Sequence, residues 1–174
     1  MLPTPPAFDE SSNLLRAATF TTAPNRITLI TEFSLAPAAL FALFADHASM
    51  PSWFPFLRHV RMDHAHSRTP NTCDIGSVRI CTLTGFGTLR ETILAWHPPH
   101  GFAYRVDSPS MPFTDHAAII RIEACVKNGN ASTLHWSQHF RDRGLVKRFF
   151  CPAGMRWLMQ RSIRNLSHCG GQKE

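Results

Sequence analysis

Between Arg58 and Arg141 the chain repeats one pattern: short runs rich in β-branched and aromatic residues, with apolar and polar positions tending to alternate. A period of two places successive side chains on opposite faces, so each run predicts a strand with one buried face. Six runs fit: Arg58–His66, Ile75–Leu83, Gly87–Trp96, Phe102–Asp107, His116–Val126 and Ser132–Arg141. Turn formers separate them, namely Thr69-Pro70-Asn71, Thr84-Gly85, Pro98-Pro99 and Asn128-Gly129-Asn130. Such close spacing requires antiparallel neighbours, because a parallel crossover needs about a dozen residues or more. A seventh strand comes first, over Arg26–Ser34.

Leu35-Ala36-Pro37 breaks that first strand, and proline suits the first turn of a helix. The following AALFALFAD predicts a short apolar helix ending near Asp46. The segment from His47 to Phe56 holds Pro51, Pro55 and Trp53 and is too broken for a long helix. The last element changes period. Met155, Leu158, Met159, Ser162, Ile163 and Leu166 form one helical stripe, with Arg156, Gln160, Arg161, Arg164 and Asn165 on the other side. Pro152 is expected in its first turn, Leu145–Phe150 as a lead-in, and Gly170-Gly171 as its end. A helix of about sixteen residues is about 24 Å long, enough to cross a small sheet. One sheet and one amphipathic helix bury both apolar faces only if the sheet wraps the helix. The predicted class is α+β.

The length of 174 residues, with 44% hydrophobic and 17% charged residues, suits one globular domain. The five cysteines are odd in number and form no CxxC pair, so reduced thiols are expected. Residues 1–24, with Pro3, Pro5 and Pro6, are expected to be a flexible extension carrying a short segment, Asp9–Phe20, of helical character; the domain itself is placed at 25–170. The N-terminus has neither a basic start nor an apolar run, and no stretch approaches the ~18 apolar residues of a membrane span. A cytoplasmic protein without integral membrane contact is the expectation. The net charge of +6 is scattered apart from Lys147-Arg148 and the trio Arg156, Arg161 and Arg164. Without an aromatic platform or docking helix, a solvated basic face is expected and no nucleic-acid partner.

The element order resembles the START-like or SRPBCC superfamily, which includes the birch-pollen-allergen fold. Asp46 with Pro51-Ser52-Trp53 resembles the pattern after that family's first helix. Asp74-Ile75-Gly76-Ser77-Val78-Arg79 is similar to a strand start in plant abscisic-acid receptors. Arg90-Glu91 with Tyr104, and Leu134-His135-Trp136 to Phe140, resemble the polyketide cyclase/dehydrase subfamily. The likeness spans roughly residues 26–168. It implies a helix-grip fold: a curved seven-stranded antiparallel sheet round a long C-terminal helix, with two short helices after the first strand. It also implies a cavity between helix and sheet. Gly85-Phe86-Gly87 is shorter than the receptors' gate loop and lacks its proline, so receptor-style gating is not implied.

Alternation assigns the inner face. Leu89, Glu91, Ile93 and Ala95 oppose Arg90, Thr92, Leu94 and Trp96; Phe102, Tyr104 and Val106 share a face; Leu134, Trp136, Gln138 and Phe140 oppose His135, Ser137, His139 and Arg141. Glu91 is the anomaly, since a buried carboxylate is costly unless paired. Arg79 on the preceding strand is its expected partner. The pair reads either as a polar anchor or acid/base group in an apolar pocket, or as a structural ion pair. Tyr104, the single tyrosine, reads as a ligand contact or as a core aromatic.

Ten histidines raise the question of a metal, but zinc sites want three or four convergent ligands. His64 and His66 share a strand face, while His135 and His139 fall on the outer face, so no metal is expected. His116 opens a strand after Pro109-Ser110-Met111-Pro112, a candidate mouth loop. No GxSxG elbow, Walker loop or dinucleotide fingerprint occurs, and no cofactor is expected. The candidate ligand-binding set is Arg79, Glu91, Tyr104, His116, Trp136, Met155 and Met159. The reading is a protein, monomer or homodimer, that binds a small hydrophobic or aromatic, partly oxygenated ligand. The alternative is a cofactor-free enzyme of the cyclase/dehydratase sort, with Arg79 stabilising enolate charge and Glu91 or His116 moving protons.

Overall fold

The alternating runs become seven strands in the computed structural model, which describes residues 15–85, 87–107, 111, 113–125, 128–142 and 145–170. In chain order these are β1 (Asn25–Phe33), α1 (Pro37–Ala45), α2 (Met50–Trp53), β2 (Leu57–Asp63), β3 (Val78–Leu83), β4 (Gly87–His97), β5 (Gly101–Val106), β6 (Phe113–Cys125), β7 (Asn128–Asp142) and α3 (Leu145–Gly170). The sheet runs β1-β7-β6-β5-β4-β3-β2, and every pairing is antiparallel. Consecutive strands are neighbours except at one point, where the first pairs with the last. This is the helix-grip fold.

The apolar stripe of α3 behaves as its period requires. Met159, Ile163 and Leu166 are buried in the main core with Phe33, Trp53 and Trp136. Ser162 also lies on this face, its hydroxyl donating to the Leu158 carbonyl at 2.9 Å so that the hydroxyl is not left bare. Asn165 Nδ2 donates to the Trp53 carbonyl at 2.9 Å and ties α3 to α2.

Several expectations need correction. The helix α3 has 26 residues and begins at Leu145, with Pro152 inside it. A proline removes one backbone bond and crowds the carbonyl four residues back, which is why it reads as a start. Here the turns on both sides continue the helix past it. The predicted turn Asn128-Gly129-Asn130 is strand instead: Asn128 already pairs with Cys125. Residues 126–127 lie outside the described residues. Phe86, 1–14, 171, and 109, 110 and 112 of the expected mouth loop also lie outside them.

Two bulges set which residues face inward, and the first alters the predicted faces. Ile93 pairs with Tyr104 but Ala95 with Ala103, so one extra residue of β4 sits between them. Beyond this bulge the alternation flips. Ala95, expected inside, packs outside with Ala103 and Ile119, while Trp96, expected outside, stacks into the core 5.1 Å from the Phe41 ring and 5.2 Å from Phe102. The second bulge lies between Thr114 and Ala117, where Asp115 adopts φ 52°. This left-handed residue lets both Phe113 and His116 point inward, their rings 5.0 Å apart.

The outer cluster has a cover. Leu15, 5% exposed, packs on Ala95, Ala103 and Ile119, with Ala17 and Phe20 beside it. Thr21 and Thr22 hydroxyls donate to the Asp115 carboxylate at 2.9 and 3.2 Å. The weak tethering expected of the N-terminal extension therefore does not hold for residues 15–24. Sparse apolar residues without sustained period hid this contact. Only Ala17–Thr19 is helical there, as a single 3-10 turn.

Candidate functional site: a cavity between the sheet and α3

Sheet, α2 and α3 enclose a cavity of about 380 Å³. Pockets for small molecules run from about 300 to 1,000 Å³. Phe44, Trp53, Leu89, Phe102, Ile120 and Trp136 supply apolar wall, and α3 closes it with Met155, Leu158 and Met159. Phe56 and Trp157 line it at the rim, where they are 48% and 49% exposed.

A polar patch interrupts this wall. The register of β3 and β4 sets Arg79 directly opposite Glu91, and the alternation that buries Leu89 and Ile93 carries Glu91 inward with them. Arg79 is 3% exposed, and its Nε donates to Glu91 Oε2 at 2.5 Å. The Cys81 thiol lies 3.5 Å from the same oxygen. The guanidinium stands over the Tyr104 ring, 4.9 Å from its centroid. Its Nη1 approaches His47 Nδ1 and Met50 Sδ, each at 3.3 Å. Burial opposes the charge on Arg79, but Glu91, Cys81 and Tyr104 together hold its pKa above the ordinary value.

His47 follows from this arrangement. Facing a cation, its Nδ1 must accept, so Nε2 carries the proton and points at Cys73 Sγ, 3.4 Å away. Burial, and then Arg79 and His64, lower its pKa from 6.5 to about 3. The ring is neutral. Burial likewise pushes the Cys73 thiol up to about 11, so it stays protonated.

On the other side of Tyr104 a second chain runs. The backbone N–H of Val106 donates to His116 Nδ1 at 3.0 Å, which fixes the proton on Nε2. That nitrogen donates to Gln138 Oε1 at 2.7 Å. Burial lowers the pKa of His116, so it too is neutral. Burial, and then the Glu91 carboxylate, raise that of Tyr104, which remains a phenol beside the Gln138 amide.

All seven candidate residues, Arg79, Glu91, Tyr104, His116, Trp136, Met155 and Met159, line this one cavity. Gln138 and Cys81 also line it and were not among the candidates; His47, likewise not among them, stands behind Arg79 and is not part of the lining. Gln138 was legible, since it shares the inner face of β7 with Trp136. His47 was not, because it lies between two short helices where no period applies. Among the described residues no three His, Cys, Asp or Glu side chains converge as metal ligands.

Residues 25–168 match the model of the family described as polyketide cyclase / dehydrase and lipid transport. The chain belongs to that family. No curated protein matches the sequence. The protein XoxI from Bacillus cereus shares the fold at TM-score 0.67 and 16% identity, over 84% of this chain and 95% of that one. A Thermobifida fusca protein does so at 0.65 and 16%, over 84% and 93%. Ara h 8.0201 does so at 0.62 and 16%, over 84% and 99%. Membership of the polyketide cyclase/dehydrase and lipid transport family points to a hydrophobic ligand-binding or polyketide cyclase-like fold. Among the described residues no helix is long and apolar enough to cross a membrane.

Proposed function

We propose that the chain holds one small, largely apolar and partly oxygenated molecule between the sheet and α3. The observation that carries this reading is an apolar wall interrupted by one compact polar patch. Small-molecule pockets are built this way, with a few placed polar groups that fix orientation. In this reading Trp136, Met155 and Met159 supply contact area, and methionine adapts to irregular shapes. Tyr104 and Arg79 orient the ligand's oxygen, with Glu91 and His116 holding them in place. The indole N–H groups of Trp53 and Trp136 are buried without a partner, and both residues line the cavity. A ligand oxygen reaching either would satisfy a donor that otherwise stays unpaired.

Proton shuttling finds less support. A general base needs a free lone pair within reach of the substrate. His116 has Nδ1 engaged by Val106 and Nε2 by Gln138, and Glu91 Oε2 faces Arg79 and Cys81, which leaves Glu91 Oε1 as the one lone pair that such chemistry could use. Native mass spectrometry of protein purified from its own host tests the proposal. One small apolar molecule per chain, released unchanged on denaturation, is expected. A bare mass, with nothing extracted from the denatured sample, would sink it.

A further inference from the structure

The charge of this protein is concentrated in one element. Helix α3 holds Lys147, Arg148, Arg156, Arg161 and Arg164 and no Asp or Glu, so five minus zero gives +5 of the chain's formal +6. Elsewhere Arg26, Arg68, Arg79, Arg105, Arg121 and Arg141 each contact a carboxylate, while Arg16, Arg58, Arg61 and Arg90 are exposed and in no ion pair among the described residues. Arg156, Arg161 and Arg164 are exposed and have no carboxylate partner among the described residues.

Helical spacing adds an aromatic to this charge. Trp157, Arg161, Arg164 and His168 recur along one exposed stripe, with Trp157 at the end nearest the cavity mouth. Its ring stands 6.1 Å from that of Phe56. Phe56 has φ 64°, a conformation bulky residues rarely adopt, and its ring is half-exposed. Exposed aromatics next to unpaired arginines match the chemistry of a lipid headgroup layer. There indole and phenyl rings settle at the interface and basic residues meet anionic lipid.

We propose that this stripe docks the mouth of the cavity onto an anionic bilayer surface, without spanning it. Trp157 and Phe56 enter the headgroup layer, and Arg161 and Arg164 face lipid phosphates. The inference uses the cavity only to locate the mouth and holds whatever occupies it. A nucleic acid fits less well, because the aromatics rim an apolar cavity and do not floor a basic groove.

Co-sedimentation of the full chain with vesicles tests this, using phosphatidylcholine alone against phosphatidylcholine mixed with phosphatidylglycerol. Binding to the mixed vesicles only, lost at high salt, is expected. Arg161→Gln and Arg164→Gln should each weaken it about fivefold, and the pair on the order of twenty-five-fold. Trp157→Ala should weaken it at every salt concentration where binding is measurable, while circular dichroism stays unchanged. Equal binding to neutral vesicles, or indifference to these substitutions, overturns the proposal. So does retention on duplex DNA or RNA, with the same arginine dependence and no vesicle binding. Ligand capture in the cavity is read separately, so either idea can fail alone.

Discussion

Arg79 and Glu91 face each other across β3 and β4, and the arginine Nε donates to Glu91 Oε2 at 2.5 Å inside an otherwise apolar cavity wall. Two charges taken out of water are tolerable together and costly apart. Losing one partner of a buried pair costs about 3–5 kcal/mol, whereas replacing both with apolar groups can be neutral. In denaturant unfolding, Arg79→Met and Glu91→Gln should each destabilise by roughly that amount, and the double variant by much less than their sum. Additive losses would show that the two side chains are not energetically coupled.

The neutral His47 makes stability depend on pH. Its folded pKa of about 3 lies below the ordinary 6.5, so the unfolded chain takes up the proton first. Stability is therefore complete above pH 6.5 and falls as pH drops towards 3. The slope is about 1.4 kcal/mol per pH unit for each such site, and His116 adds in the same direction. Unfolding measured between pH 7 and about 5, above the range where carboxylates titrate, should show this loss. His47→Gln keeps an acceptor for Arg79 and cannot titrate, so its profile should be flatter. An identical slope in both proteins would contradict the neutral, buried assignment.

The fold and the Arg79–Glu91 contact were legible because both follow from periodicity. Alternation assigns strand faces, and adjacent antiparallel strands bring inward residues together. What alternation does not contain is the bulge. One extra residue between Ile93 and Ala95 exchanged the faces of Ala95 and Trp96, and nothing in the side-chain pattern marks it. The neutral tautomers of His47 and His116 depend on partners far away in sequence, such as Arg79 and Gln138. The start of α3 was misjudged because proline disfavours a helix interior locally while the turns flanking Pro152 outweigh it.

Residues 15–24 are a structural part of the sheet's outer face. Leu15→Ala should cost about 2 kcal/mol or more, as for other large-to-small changes at buried sites. Thr21→Val with Thr22→Val should loosen the bulge at Asp115 and, through it, the placement of His116. Hydrogen exchange at Val106, whose N–H bonds His116, would then quicken. Wild-type stability after deletion of residues 1–24 would show that this packing contributes nothing.

Gly101 opens β5 at φ 134°, and a Cβ there would lie 1.9 Å from the Ile120 carbonyl oxygen. The contact is with backbone, which cannot swing aside. Gly101→Ala should therefore lose at least about 1–3 kcal/mol from its conformation alone, with the clash added. A thermal transition like that of the wild type would mean the strand pairing there is looser than described.

The central claim is that the space between sheet and α3 receives an apolar molecule. Titration with the fluorescent probe 1-anilinonaphthalene-8-sulfonate measures it most directly, in the wild type and in Leu89→Trp, which adds bulk to the inner wall. One saturable site in the wild type, abolished in Leu89→Trp while its unfolding remains cooperative, is the expected result. Equal saturable binding in both proteins, or none in the wild type, would contradict the account.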